Sequence, residues 1–210
     1  MTNTDEKMRA LGVRPIFDEQ PAPPDPSATF ATLEQDLGAR LPDEYKAFAT
    51  TYGHHGFEQY VGVPVDARFP RGKTCLVSTL FGCNPGVRYY VLEEHRKFRG
   101  RMPAHVLPIA RDPGGNLFVL SVGPSDYGNV YYWDHEHVEL SKARVQEMAD
   151  ELEDEGIDTS RLFIDGIILA WDQLHRDELE RPPGYGNMYC VGESFPGFVE
   201  AMLPYDPAEE

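Results

Sequence analysis

Apolar positions recur along this chain with two different periods, and the change from one to the other outlines the fold. Between His105 and Glu139 they fall in three short runs, Val106 to Ala110, Leu117 to Val122 and Val130 to Trp133. The last two are rich in β-branched and aromatic residues, the composition of strands. The spacers, Asp112-Pro-Gly-Gly-Asn116 and Gly123-Pro-Ser-Asp-Tyr-Gly-Asn129, hold the residues that tight turns use. Glycine and asparagine accept positive φ, proline presets φ, and Asp and Asn hydrogen-bond their own backbone. Connections of five and seven residues are too short for a crossover, so the spacing predicts an antiparallel three-stranded meander.

Upstream the period becomes helical. Residues 1–19 can form one short helix between Thr4 and Gly12. The four prolines of Gln20–Pro26 cannot continue it, and 1–26 reads as an N-terminal arm or linker. Ser27 caps a helix with Phe30, Leu33 and Leu37 on one face and Gly38 as its stop. Pro42, Asp43 and Glu44 suit a second helix start, and Tyr45, Phe48 and Tyr52 follow in phase before Gly53. The two make an αα-hairpin able to cover one face of a sheet. Val61–Val65 and Cys75–Phe81 are expected strands, with Pro64 demoting the first to an edge or irregular run. Residues 86–99 are expected to be helical, with Val87, Val91 and Phe98 roughly in phase.

Downstream of the meander, two further helices are expected. Ser141 to Glu155 places Val145, Met148 and Leu152 on one face. The second starts at Thr159 or Ser160 and carries Leu162, Phe163, Ile164, Ile167, Ile168, Trp171 and Leu174, a side wide enough to demand burial. After the loop Arg181–Asn187, Met188–Val191 is a short strand. Ser194 caps a closing helix with Phe195, Phe198, Val199 and Met202 inward.

Charge sharpens the picture. The net charge is −16, and it is segregated: residues 1–140 carry 14 Lys and Arg against 18 Asp and Glu, whereas 141–210 carry 5 against 17. Such an acidic half repels nucleic acid and anionic membranes, which need cationic contacts; it fits either attraction of a basic protein or simply a solvated surface that aids solubility. Arg96, Lys97, Arg99 and Arg101 cluster at the end of the 86–99 segment, where they complement a helix dipole better than they suggest a phosphate site. At 210 residues one domain with a substantial core is expected. Cys75, Cys83 and Cys190 form no CxxC pair, and the polar N-terminus lacks a basic start followed by an apolar run. Reduced thiols in a cytoplasmic protein are therefore expected.

Catalytic chemistry finds little support. His135 and His137 alternate onto one side of a strand and His54-His55 could in principle join them, but HExxH spacing and paired cysteines are absent. There is no Gly-x-Ser-x-Gly elbow and no Gly-Lys-Ser/Thr loop. Asp112 and Asn116 read as pins of a turn rather than catalysts. No cofactor and no metal are expected. Tyr127, Tyr131, Tyr132 and Trp133 are more informative. Alternation sends Tyr131 and Trp133 to one face and Tyr132 to the other, and Trp133 is expected in the core. An exposed aromatic beside acidic residues suits protein binding. The candidate partner-binding residues are Asp126, Tyr127, Tyr131, Asp134 and Glu136, with Glu147, Glu151 and Asp154 downstream.

Three segments resemble the SUKH superfamily, whose members include bacterial immunity proteins and the Smi/Knr-type fungal cell-wall regulator. The first is Leu33-Glu-x3-Gly38-x2-Leu41-Pro-x2-Tyr45-x2-Phe48-x3-Tyr52-Gly53. The second joins Leu107-Pro-Ile-Ala-x-Asp112-x-Gly-Gly115-Asn116 to Gly128-Asn-Val-Tyr-x-Trp133-Asp-His-Glu136. The third is Val191-x2-Ser194-Phe-x2-Phe198-x3-Met202. The resemblance implies an α+β domain over 27–210, a mainly antiparallel sheet with the N-terminal αα-hairpin and C-terminal helices packed on it. It also implies binding rather than catalysis: neutralisation of a cognate toxin by direct association, with no nucleic acid and no membrane as partner. The charge makes a basic toxin, such as a nuclease, the expected partner. A regulatory or scaffold module without a toxin is the alternative, and a metal-dependent enzyme using His135 and His137 is the least favoured. The chain departs from the family pattern in its arm and in an acidic insert at 141–180, which carries 4 Lys and Arg against 12 Asp and Glu.

Overall fold

The structure is a computed structural model that describes residues 2–17, 25–65, 69, 72–135, 163–164, 167–168 and 185–207. The chain divides into two compact units, Met1–His135 with Met188–Glu210, and Glu136–Asn187. The first unit runs α1 (Thr2–Ala10), β1 (Val13–Pro15), α2 (Ser27–Leu37), α3 (Asp43–Tyr52), β2 (His55–Phe57), β3 (Val61–Pro64), β4 (Thr74–Val77) and β5 (Thr79–Leu80). It continues with α4 (Val91–Lys97), β6 (Val106–Arg111), β7 (Leu117–Ser121) and β8 (Val130–Trp133). After the second unit, with β9 (Phe163–Ile164) and β10 (Ile167–Ile168), it closes through β11 (Met188–Gly192), α5 (Phe195–Ala201) and β12 (Leu203–Pro204). Every pairing of these strands is antiparallel, so the fold is α+β as expected.

The meander is the middle of a five-stranded sheet ordered β11-β8-β7-β6-β5. All five residues of β7 are buried, because both faces of the strand are covered; its first four, Leu117 to Leu120, are apolar for that reason. The row Phe118–Tyr132–Tyr189 faces α5, with Phe198 5.4 Å from Phe118. The row Arg111–Leu117–Trp133 faces the other way, toward Phe98 just past α4, 5.7 Å from Trp133. Helix α3 joins the α5 side through Tyr45 and Phe48, whose rings lie 5.3 and 5.2 Å edge-on to Phe195. Ser194 caps α5 as expected, accepting from Gly197 N–H at 3.1 Å.

The αα-hairpin is fastened at its joint by Glu34, which accepts from Leu41 N–H at 2.9 Å and from Lys46 at 3.3 Å. Gly38 ends α2 at φ 68°, the left-handed conformation that favours glycine. Contrary to expectation, Ser27 does not cap α2: Pro26 stands at the N-cap, with no side-chain cap, and Ser27 gives its N–H and hydroxyl to the Asp25 carboxylate just before the helix.

Four other local expectations change. The first residues are built into the fold: β1 pairs with β2, Met8 and Leu11 are buried, and Tyr52 donates a hydrogen bond to Asp5. The Cys75–Phe81 run is two strands in two sheets. Ser78 is the pivot, its N–H and hydroxyl both donating to Arg111 carbonyl at 2.9 and 3.0 Å. Strand β3 lies between β12 and β4 rather than at an edge; Pro64 is tolerated because β12 reaches only Val61 and Gly62. Helix α4 begins at Val91, not residue 86, since Tyr89 takes a left-handed φ of 67° and Val91 N–H binds Gly82 carbonyl at 2.8 Å.

In the second unit, the helix expected across Leu162–Leu174 is corrected at two places, where Ile164 pairs with Ile167 and Phe163 with Ile168 as antiparallel strands. The sequence between them, Asp165-Gly166, is a preferred hairpin dipeptide flanked by β-branched residues. The helix expected at 141–155 lies outside the described residues.

Within the core, the Tyr45 hydroxyl is buried and has no hydrogen-bond partner among the described residues. Burial pushes the titration of this phenol far upward. Tyr45→Phe is therefore expected to leave stability unchanged or raise it by about 1 kcal/mol, since an unsatisfied hydroxyl no longer has to be desolvated. Urea denaturation checks this; a loss above about 1 kcal/mol would show that the hydroxyl has a partner.

Candidate partner-binding rim

Strands β7 and β8 end in two polar clusters, one at each end. At the β6–β7 turn the Asp112 carboxylate accepts four hydrogen bonds. Its Oδ1 takes Gly115 and Asn116 N–H at 2.6 and 2.8 Å. Its Oδ2 takes the Asn116 amide and the Tyr132 hydroxyl at 2.9 and 2.7 Å. Asn116 is equally saturated: its amide nitrogen also donates to Tyr132 at 2.6 Å, and its oxygen accepts from His135 N–H and Nδ1 at 3.0 and 2.6 Å. Asp112, Asn116 and Tyr132 are all buried. A buried cluster with every group paired holds a turn in place, the role the sequence suggested for Asp112 and Asn116.

The other cluster lies at the β7–β8 loop and is partly open. Asp126 Oδ1 accepts from the Ser121 hydroxyl at 2.6 Å, and Oδ2 accepts from the Tyr131 hydroxyl at 2.9 Å. Asn129 donates to Tyr131 at 3.3 Å, and backbone bonds between Ser121 and both Gly128 and Asn129 close the loop. Burial raises the Tyr131 phenol to about 12, with the Asp126 hydrogen bond acting in the same direction, so it stays a donor at neutral pH. A side chain at Gly123 would run into His105 Cδ2 and Asp126 Oδ1, at 2.6 and 2.9 Å. Tyr127, at the loop tip, is 50% exposed. The arrangement is a braced carboxylate beside a free aromatic, which suits recognition of a protein surface.

Asp126, Tyr127 and Tyr131 are thus brought together. Asp134 is not: it follows the opposite end of β8 and has no exposed surface, so a partner meeting this rim would not touch it. Glu136, Glu147, Glu151 and Asp154 lie outside the described residues, as does His137. Trp133 is buried, as expected. Sequence reasoning missed His105, Ser121 and Asn129; the usable signal was a hydroxyl and a carboxylate bracketing a Gly-Pro turn, Ser121 and Asp126.

The cysteines are thiols. Burial raises Cys75 and Cys83 to about 12, which keeps them protonated and weak as nucleophiles. His54 and His55 spend ring nitrogens on the backbone: His54 Nε2 accepts from Asn84 N–H at 3.0 Å, while Nδ1 of each faces a carbonyl, Arg88 at 3.2 Å and Gly53 at 2.8 Å. Among the described residues no group of three metal-ligating side chains converges, and no helix is long and apolar enough to cross a membrane.

Burial lowers the pKa of both His54 and His95 below the ordinary 6.5. Above 6.5 both states are neutral and the folded state keeps its full stability. Below it the unfolded chain takes up protons first, so stability falls from pH 6.5 down through the depressed folded values. This window is separate from that of the hydrogen-bonded Glu34, whose lowered pKa acts only below about 4.5. Thermal unfolding is expected to show a Tm that is level from pH 7.5 to about 6.5 and falls from there to pH 5. A level or rising Tm between pH 6.5 and 5 would remove both histidines as the cause.

Comparison with known proteins now adds to this geometry. The model of the SMI1 / KNR4 family (SUKH-1) matches residues 26–154, well over half of the chain. The chain belongs to this family. The SUKH-1 match spans the αα-hairpin and the whole meander, including both polar clusters. It stops before β11 and α5, although these complete the sheet and cover its Phe118 face. The chain is also similar to the SPbeta prophage-derived uncharacterized protein YokK of Bacillus subtilis (strain 168), 26% identical over 124 residues, 50% of this chain. The chain covers 59% of that relative's length. No solved structure matches. The SUKH family includes immunity proteins.

Proposed function

We propose that this SUKH-1 protein is a non-enzymatic immunity protein that binds a cognate toxin directly, in the cytoplasm, and blocks its active site. Family membership carries the reading. The acidic chain supports it, because a toxin that holds nucleic acid must present cations, and a carboxylate-rich partner occupies the positions of phosphates. The Asp126–Tyr127–Tyr131 rim serves as the anchor, and Glu136, Glu147, Glu151 and Asp154 steer the approach of a basic toxin. Two kinds of substitution should then separate kinetically: Tyr127→Ala speeds dissociation, whereas charge reversal at Glu147, Glu151 and Asp154 slows association.

The test is co-expression with the product of the adjacent gene, followed by size-exclusion chromatography and a growth assay. Co-elution with rescue of growth is expected. Separate peaks at low salt without rescue overturn the proposal and favour a regulatory module that has no toxin.

A further inference from the structure

An acidic protein carries one concentrated basic stretch. Residues 88–111 hold six of the 19 Lys and Arg against two of the 35 Asp and Glu. The structure arranges part of it around aromatic rings. Tyr89, held in the left-handed conformation at φ 67°, stacks on Phe81 with ring centres 6.0 Å apart and planes 2° from parallel. The guanidinium of Arg88 lies 4.8 Å from the Tyr89 ring centre, and that of Arg111 lies 5.6 Å from it. Arg101 sits 5.3 Å from the ring centres of both Phe98 and Trp133. Arg111 and Trp133 belong to one row across β6, β7 and β8, so their side chains leave the same face of the sheet. None of these three arginines pairs with a carboxylate among the described residues. A guanidinium resting on a ring still presents its N–H fork, the geometry that takes a carboxylate through two parallel hydrogen bonds.

We infer that the Arg88–Tyr89–Arg111 platform, extended by Arg101 on Trp133, is a docking surface for an acidic polypeptide segment of a protein partner. The inference is independent of the toxin reading, which rests on family membership and is supported by the acidic residues. A protein segment fits better than nucleic acid for an electrostatic reason. Outside 88–111 the chain holds 13 Lys and Arg against 33 Asp and Glu, so a long polyanion is repelled as it extends. A short segment senses only its surroundings, because fields are screened over about 8 Å at physiological salt. The strained backbone at Tyr89 is held by Gly82 N–H donating to Tyr89 carbonyl at 3.1 Å, which keeps the ring near both cations.

The experiment is fluorescence anisotropy of a dye-labelled decapeptide of Glu and Asp, titrated with the full chain at low ionic strength. Saturable binding is expected, weakened about tenfold by the double variant Arg88→Gln, Arg111→Gln, in line with losing two charge-assisted forks. The control Arg14→Gln, Arg40→Gln removes the same charge from two exposed arginines elsewhere and is expected to bind like the parent. The variant Arg88→Lys, Arg111→Lys keeps the charge and the fold and should still bind several-fold more weakly, because lysine lacks the planar fork. Absence of peptide binding, equal losses in the Arg88/Arg111 and Arg14/Arg40 glutamine variants, or tighter binding of a single-stranded oligonucleotide than of the peptide each overturns the assignment.

Discussion

Replacing Asp112 with alanine is expected to lower the unfolding free energy by about 3 kcal/mol or more, the largest loss we anticipate from a single polar substitution. The carboxylate accepts from two backbone N–H groups, the Asn116 amide and the Tyr132 hydroxyl. Removing it leaves these donors without their acceptor in a site where Asn116 and Tyr132 are shielded from water. A buried donor left unsatisfied costs about 1–3 kcal/mol, and several share one acceptor here, so the loss exceeds that of an ordinary hydrogen bond. Tyr132→Phe removes one member only and is expected to cost about 1–2 kcal/mol. Urea unfolding of the three proteins side by side reads the difference from the midpoints at constant slope. A midpoint for Asp112→Ala close to the parent's would mean that water enters the turn and replaces the carboxylate. Restoring one oxygen with Asp112→Asn should recover little, because its NH2 group would face donors.

The second large effect is expected at Gly53, where α3 ends. Its backbone is extended, at φ −61° and ψ 147°, so conformational freedom is not the reason for glycine. Space is: a Cβ at this position would lie 2.5 Å from Gly82 Cα and closer still to Ala49 carbonyl oxygen. Both obstacles are backbone. Ala49 carbonyl is held by Gly53 N–H at 3.1 Å, and Gly82 by hydrogen bonds to Tyr89 and Val91. Neither can move without breaking a helix end or the start of α4. Gly53→Ala is thus expected to cost about 3 kcal/mol or more, at the upper end of overpacking effects. Gly38→Ala provides the contrast. That position is left-handed but open, with nothing within 4 Å of the added carbon, so a cost of only about 1–2 kcal/mol is expected. If calorimetry ranked the two variants the other way, close backbone approach would not be what selects glycine at 53.

Gly53 also shows the limit of a linear reading. Its place at the end of an apolar period was enough to stop the helix on paper, but the physical reason lies in Gly82, 29 positions along the chain. The meander, the αα-hairpin, the Ser194 cap and the burial of Trp133 were all legible in the residues, because each depends on signals within about ten positions: alternation, turn residues, a capping hydroxyl. Even the pinning role of Asp112 and Asn116 could be read from the turn composition. The antiparallel pairing of Phe163–Ile164 with Ile167–Ile168 had a local signal too, the Asp-Gly dipeptide in the sequence between them, but a wide apolar run outweighed it.

Other features depend on residues far apart in sequence. The break at Ser78 exists because Arg111 carbonyl draws both its N–H and its hydroxyl, and local propensity contains no trace of Arg111. Tyr89 is left-handed because Gly82 and Phe81 hold it, which moved the start of α4. Exposure is likewise a property of the assembled body. Two acidic residues eight positions apart, Asp126 and Asp134, looked equivalent in the sequence; the loop leaves the first beside an open tyrosine, whereas packing at the far end of β8 encloses the second. Periodicity is a local average, and the chain specifies its elements through it. Burial, strain and the pairing of charges are set by distant segments meeting, so they emerge only when the sheet and its helices close.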